Sequence, residues 1–416
     1  MDSFLLFQLH FTMCLLINKN ILVFLFFVVF IIAGIWGHCF EQLKSKTIDL
    51  AAGIKHGNIS KFLDYKNDVD DISNKALSYH NEMIDVNSIK DNLLGTRVVV
   101  KDDTTVVKAD SDSLIDSVKK LDSGEIKKVV SAIDGIKTVS ESNGASFLYC
   151  AVPSKEYYQK SPLNIDNYSI DNYNSFITEL DNSKIPYVDF SKVLTENESK
   201  FKTYYNSDHH WTVRSGFAAN NALLKELNSR YKFNYSNQCT DINNYDVTNY
   251  PNWFLGSKGK KVGTYFSWNG ADDFELITPK FKTDMTEKQP AKNQIRNGEF
   301  KDTVLYMENM QKDYYEINTY ATYSGGDFRL QIMYNNLNPK GKKILMIRDS
   351  FGCVIAPFLS LQTSELHICD MRNNGNIVGD KLNAEEYIKQ IAPDYVIVLY
   401  YGISRLEDSR GRFDFF

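Results

Sequence analysis

Along this chain the spacing of apolar residues changes several times, and each change marks an element. Ile21 to Phe40 is an almost unbroken apolar run, with His38 its one strongly polar member. About 20 such residues span a bilayer as a helix. No small-x-small cleavage site follows, so the run predicts an uncleaved anchor rather than a signal peptide. A single N-terminal anchor of this kind leaves the rest of the chain outside the cytoplasm. Beyond it, Phe62, Tyr65, Val69, Ile72, Ala76, Tyr79 and Met83 alternate at spacings of three and four, which is a helical period. The expected organisation is a membrane anchor over 1–40, a helical linker over 41–94 and one globular domain over 95–416.

From Gly95 the period shortens. Residues 95–100 and 104–107 predict a hairpin around Lys101-Asp-Asp. Helices are expected over 111–121 and 125–142, then a buried strand over 145–152 that ends at Pro153. A helix over 172–180, a short strand over 186–190 and a helix over 212–231 follow. From about 232 to 334 the rhythm breaks. That stretch is rich in Asn, Tyr, Gly and Lys, and predicts an irregular, β-rich insertion. The rhythm resumes with a strand over 343–347, a helix over 353–361, a strand over 365–370, a helix over 384–391 and a strand over 395–400. Short apolar strands alternating with helices predict an α/β fold, a parallel sheet covered on both faces.

Composition changes this picture little. A chain of 416 residues with 43% hydrophobic and 24% charged residues is ordinary for a globular protein. A formal charge of -5, with no basic cluster interleaved with aromatics, argues against a nucleic-acid partner. The six cysteines are scattered without a CxxC. Cys150, Cys353 and Cys369 sit in or beside apolar runs and read as core residues. Neither a disulfide framework nor a cofactor is expected.

The candidate chemistry gathers in Thr203–Arg214, where Asp208, His209 and His210 stand in a row. Of seven histidines, His10, His38, His56 and His80 lie in or near the N-terminal segments. His209, His210 and His367 remain as candidate acid–base groups. In extended chain Asp208 and His210 share a face and His209 points away. In a helix residues two apart do not face each other, so an Asp208–His210 partnership needs an extended or turn backbone. Thr212 is a candidate N-cap, which would put the row just before a helix.

Ser350 follows the strand 343–347 and precedes a helix. Ligands of open α/β sheets bind at the carboxyl ends of strands, where backbone N–H groups can stabilise an oxyanion. A serine nucleophile needs a base. His210 can take its proton while Asp208 fixes the tautomer. The plainer alternatives are a hydrogen-bonded helix cap for Asp208 and His210, and a cap for Ser350. Asp349 reads as support for the turn. A metal site of Asp208, His209 and His210 is disfavoured, because adjacent histidines diverge in extended chain. Trp211 is a candidate sugar platform or a packing residue. Tyr323 and Arg329, around Gly325-Gly326, are candidates for the cleft wall.

Tyr205-Asn-Ser-Asp-His-His-Trp-Thr212, together with Arg348-Asp-Ser-Phe-Gly352, resembles the DHHW-motif proteins. These are similar to the SGNH-hydrolase-like polysaccharide O-acetyltransferases of the alginate-acetylation type. Val152-Pro-Ser-Lys155, Phe254-Leu-Gly-Ser-Lys-Gly259 and Asp370-Met-Arg372 fit the same resemblance, which covers roughly residues 95–401. It implies a Ser350, His210, Asp208 triad, an acetyl-serine intermediate and a polysaccharide substrate. It also implies an extracytoplasmic site beside a membrane-bound O-acyltransferase that supplies acetyl groups. Arg372 resembles a family arginine that contacts substrate or oxyanion. Arg348 departs from the pattern, standing where many SGNH proteins have Gly. Between transferase, acetylesterase and a non-catalytic glycan-binding component of an export complex, the resemblance favours transferase.

Overall fold

The apolar runs too short for helices become the centre of one sheet, in a computed structural model that describes residues 80–101, 104–162, 165–372, 377, 379–401 and 413–416. The expected anchor and the apolar stripe from Phe62 to Tyr79 lie outside the described residues. Among the described residues no helix is long and apolar enough to cross a membrane.

The chain divides into one unit over 1–87 and a second over 88–416. In order, the elements are α1 (His80–Leu93), β1 (Val98–Lys101), β2 (Thr104–Lys108), β3 (Leu114–Ile115), α2 (Ser123–Ser142), β4 (Ser146–Val152) and α3 (Ser169–Asn182). Next come β5 (Tyr187–Asp189), α4 (Phe190–Thr195), α5 (Val213–Tyr231), β6 (Tyr245–Phe254), α6 (Ser257–Val262), β7 (Asp272–Pro279) and β8 (Met285–Gln289). The last are β9 (Gln294–Gly298), α7 (Phe300–Thr303), β10 (Leu330–Asn335), β11 (Lys343–Arg348), α8 (Ala356–Ser360), β12 (Glu365–Cys369), α9 (Ala384–Ile391) and β13 (Tyr395–Tyr401).

The main sheet runs β5-β4-β13-β11-β12-β10-β8-β9. From β5 to β12 neighbouring strands are parallel. Their middle members β4, β11 and β13 are buried on both faces nearly throughout, as strands under two helical layers must be. Alternate residues of β4 feed opposite cores. Leu148, Cys150 and Val152 join the side that holds Phe217 of α5, while Phe147, Tyr149 and Ala151 join the side of Ile133 of α2. The expected parallel sheet is therefore right for half of the structure. The other half corrects it, since β10, β8 and β9 pair antiparallel. β10 and β8 bury every second residue, the pattern of strands with one covered face. The expected insertion is thus no separate flap, because its own strands extend the sheet.

Local chemistry explains the element ends. Asp122 accepts from Gly124 N and Glu125 N, and Glu125 reaches back to Asp122 N, a capping box that starts α2. Thr212 caps α5 through Ser215 N at 3.2 Å. The helix expected over 111–121 is absent. Asp112 takes a left-handed turn at φ 66°, and the Leu114 amide donates outward to Asn206 O at 2.9 Å. The helix expected over 353–361 is broken into a tight turn, Ser350–Val354, and the short α8.

Candidate active site

The Asp-His-His row sits at the tip of a narrow loop rather than in extended chain. An antiparallel bridge joins Tyr204 to Trp211, and Thr212 N donates to Thr203 O at 2.9 Å. Between them Asn206 to His210 bend continuously. The insertion holds this tip. The buried Asp272 carboxylate accepts from Asn206 N at 2.7 Å, Ser207 N at 2.8 Å and Ser207 Oγ at 2.6 Å. Gly256 N donates to Ser207 Oγ at 2.8 Å. A Cβ on Gly256 would meet Asp208 Cβ at 2.1 Å, so only glycine allows this approach.

Ser350 opens the turn after β11, at the carboxyl end of the parallel strands. Asp349 fixes the turn, accepting from Phe351 N at 3.0 Å and from Tyr401 N of β13 at 2.8 Å. Trp211 couples the two motifs. Its Nε1 donates to Phe351 O at 3.2 Å, and its ring packs edge-on against Phe190 and Phe351. Trp211 is fully buried, which corrects its candidacy as a sugar platform. No face of it reaches a ligand.

This framework brings together residues 140 positions apart, with His210 Nε2 at 2.7 Å from Ser350 Oγ. His210 Nδ1 lies 3.3 Å from Asp208 Oδ1 without an aligned hydrogen bond. Catalytic hydrogen bonds are often this loose before substrate arrives. Asp208 Oδ1 also accepts from His209 N at 2.5 Å and Ser257 Oγ at 3.0 Å. Burial alone would raise the Asp208 carboxyl. The charges and hydrogen bonds of His210 and His209 outweigh it and hold the group well below the usual range.

The expected divergence of His209 is corrected by the bend. Its Nδ1 lies 2.7 Å from Asp208 Oδ1, and its ring centroid is 3.9 Å from that of His210. One donor atom from each of Asp208, His209 and His210 falls within 4.8 Å of the others, so divergence gives no ground against a metal ion. What the row does show is that His210 turns its Nε2 to the serine.

A cavity of about 500 Å³ opens over Ser350, with Lys260, Asn318, Tyr320, Arg372 and Tyr401 in its walls. Tyr320 stacks on His210 at 4.1 Å and 18°. Arg372 does line the cavity, but Nε and Nη2 are spent on Asp370 and Asp327. Arg348, fully buried, pairs with the other oxygen of Asp327 and donates to Gly326 O at 2.8 Å. Burial would raise Asp327, but Arg348 and Arg372 hold it low. Arg348, where the resemblance leads one to expect glycine, is thus one post of a charge frame beside Ser350.

Tyr323 is corrected. It is fully buried, and its hydroxyl accepts from Ile277 N at 2.8 Å. It braces β7, not the cleft. Arg329 donates to Asp370 O at 3.0 Å, propping the turn that carries Arg372. Ser257, Tyr320 and Asp327 belong to the site without having been singled out in the sequence. Ser257 alone had a signal, lying inside Phe254-Leu-Gly-Ser-Lys-Gly259.

Geometry and topology define an SGNH-hydrolase-like α/β fold with a mixed sheet. A sequence model described as SGNH hydrolase-like domain, acetyltransferase AlgX, matches residues 113–241, a stretch that holds Asp208 and His210. PatB1 of Bacillus cereus, solved with a sulfonyl adduct, is similar at TM-score 0.59 and 18% identity, over 76% of this chain and 98% of that one. A DHHW family protein of Eubacterium siraeum is similar at TM-score 0.56 and 18% identity, over 76% and 96%. At such identity the likeness is one of fold. No curated protein sequence matches. The resemblance to DHHW-motif and AlgX-type proteins read from the motifs is thus met by a family model and by solved structures.

Proposed function

We propose that this chain is a serine-dependent O-acetyltransferase acting on a cell-surface or secreted polysaccharide. The observation that carries the proposal is the 2.7 Å contact of His210 Nε2 with Ser350 Oγ at the floor of an open cavity. Ser350 Oγ attacks the acetyl carbonyl carbon, and its proton passes to His210 Nε2. The bond to the donor's leaving oxygen breaks, and that oxygen takes the proton from His210. An acetyl ester on Ser350 remains. A sugar hydroxyl then attacks the same carbon, gives its proton to His210, and Ser350 leaves with that proton. Asp208 steadies the imidazolium formed in each half.

With water as acceptor the same steps make an acetylesterase. Which acceptor wins depends on water exclusion in the cavity, and the AlgX description favours transfer. The reading extends to residues outside the described ones. Ile21 to Phe40 anchors the chain, the cavity works outside the cytoplasm, and a membrane-bound O-acyltransferase delivers the acetyl groups. Protection of the globular part from added protease in intact cells, but not in opened ones, would overturn an outside location.

The direct test uses the full chain in detergent with a small activated acetyl ester. Intact mass should show one acetyl adduct, lost in Ser350→Ala and in His210→Ala. Glycan oligomers should then collect the acetyl group faster than water does. A folded wild-type protein with neither adduct nor turnover would turn the reading toward a glycan-binding component.

A further inference from the structure

Lys155 follows β4 on a short turn, and it is fully buried. Its side chain runs beneath the Asp-His-His loop. The amine donates to Leu114 O at 2.7 Å, Asn206 O at 2.7 Å and Asp208 O at 2.9 Å. An ammonium has three hydrogens and no acceptor, so every hydrogen is committed. Two of the carbonyls belong to the loop tip, and one is that of Asp208 itself. The opposite side of the same tip gives its amides to Asp272. A cation on the carbonyls and an anion on the amides thus hold the backbone that aims His210.

We propose that Lys155 is a positioning residue whose protonated amine keeps the Asn206–Asp208 backbone in the geometry that lines His210 up with Ser350, and whose deprotonation slackens it. The proposal rests on the serine-transfer reading above. A neutral amine has two hydrogens, so three carbonyls cannot all be served. One loop carbonyl, or the anchor at Leu114, loses its partner. The effect is on alignment, so it should appear in kcat and not in KM.

The proton sits within the working range. Burial pushes the Lys155 amine down to about 7. Asp272 and Lys258 of the insertion act on it next, the first opposing and the second reinforcing, and Glu156 beside it and Asp208 above it oppose. The unfolded chain keeps this proton up to the ordinary lysine value of about 10.4. Between those values the unfolded chain binds more protons than the folded one. This group therefore makes the fold more stable as pH rises, over the same range in which activity should fall. A purely structural lysine would move activity and stability together.

The experiment follows acetyl-ester turnover by the full chain from pH 6 to 9, for wild type, Lys155→Arg and Lys155→Met. Amide hydrogen exchange of Asn206–His210, corrected for intrinsic rates, runs beside it. Wild-type kcat should fall above about pH 7 with KM unmoved and no loss of melting temperature. Lys155→Arg should move that limb to higher pH, since a guanidinium does not titrate there. Lys155→Met should lower kcat by about 100-fold, the usual scale for a misplacement near 1 Å, and remove the limb. A folded Lys155→Met with wild-type kcat, or an unmoved limb in Lys155→Arg, overturns the proposal. If Lys155→Met does not fold, the Lys155→Arg profile and wild-type exchange decide. If wild type shows no turnover at all, the transfer reading fails and exchange alone decides. Protection at Asn206–His210 that weakens above pH 7 in wild type but not in Lys155→Arg supports the role, and protection unchanged across the range refutes it.

Discussion

Two charged clusters flank Ser350, and they are built on opposite plans. On one side a single carboxylate, Asp208, serves two imidazoles and the Ser257 hydroxyl through one oxygen, and His210 Nδ1 is left without an aligned bond. On the other side Asp327 and Asp370 share Arg372, and Asp327 also holds Arg348. The first cluster has slack and titratable members. In the second, all four carboxylate oxygens of Asp327 and Asp370 accept from guanidiniums, which keep their charge at any working pH. A proton can pass where an imidazole nitrogen meets a hydroxyl, as His210 meets Ser350, whereas carboxylates locked onto permanent cations hold their positions. The difference separates a loosely bonded carboxylate–imidazole group from a frame whose carboxylates are fully paired.

That contrast can be broken by experiment, most sharply at Asp208. Asp208→Asn should lower kcat by about 10³- to 10⁴-fold, as loss of the orienting carboxylate does in other triads. An unchanged kcat would leave the first cluster without its role. The same variant carries a stability signature. A carboxyl held low by folding contributes stability that is full above its unfolded value of about 3.9 and is lost as pH falls toward the folded one. Melting temperature should therefore drop below about pH 4 in wild type and drop less in Asp208→Asn.

Asp327→Ala should instead read out in stability. It leaves Arg348 and one side of Arg372 as buried charges without their partner, at a cost of about 3–5 kcal/mol. Urea unfolding measures it, and a loss typical of a surface ion pair would deny the frame. Tyr320→Leu removes the stack on His210. A loss near 1 kcal/mol, or several-fold in kcat at similar stability, is expected from aromatic pairs. The smallest expected effect is that of a chelator. Acetyl-ester turnover after exhaustive dialysis against EDTA should be unchanged, and a loss restored by zinc would recast Asp208 and His209 as metal ligands.

Much of the parallel half was legible because strands buried on both faces read as continuous apolar runs, as Ser146–Val152 and Tyr395–Tyr401 do. The antiparallel half was not, because its buried face is partly polar. Glu287, Gln289 and Gln331 point inward, and Glu287 Oε1 accepts from Gln289, Gln331 and the Tyr306 hydroxyl. Burial of this kind carries no apolar period to read. In the site, Asp208, His210 and Ser350 stood out as residue types with a job and a place in the α/β rhythm. His209 turns toward Asp208 because, of the extended and turn backbones that the row allows, the chain takes the bend. Trp211 and Tyr323 were misplaced because an aromatic side chain reads alike in a cleft and in a core. Tyr320 and Ser257 reach His210 and Asp208 from loops distant in sequence, and no local pattern announces such a meeting.

The close approach of Gly256 to Asp208 bears on how the insertion and the loop can diverge. A Cβ at position 256 would lie 2.1 Å from Asp208 Cβ, so the segment that carries this glycine is not exchanged freely as a cassette. A chimera that imported residues 232–334 with anything but glycine at position 256 would begin with a steric collision at the aspartate. Changes elsewhere in the cavity wall, as at Asn318, meet no such constraint, while the seam between insertion and loop is inherited as one piece.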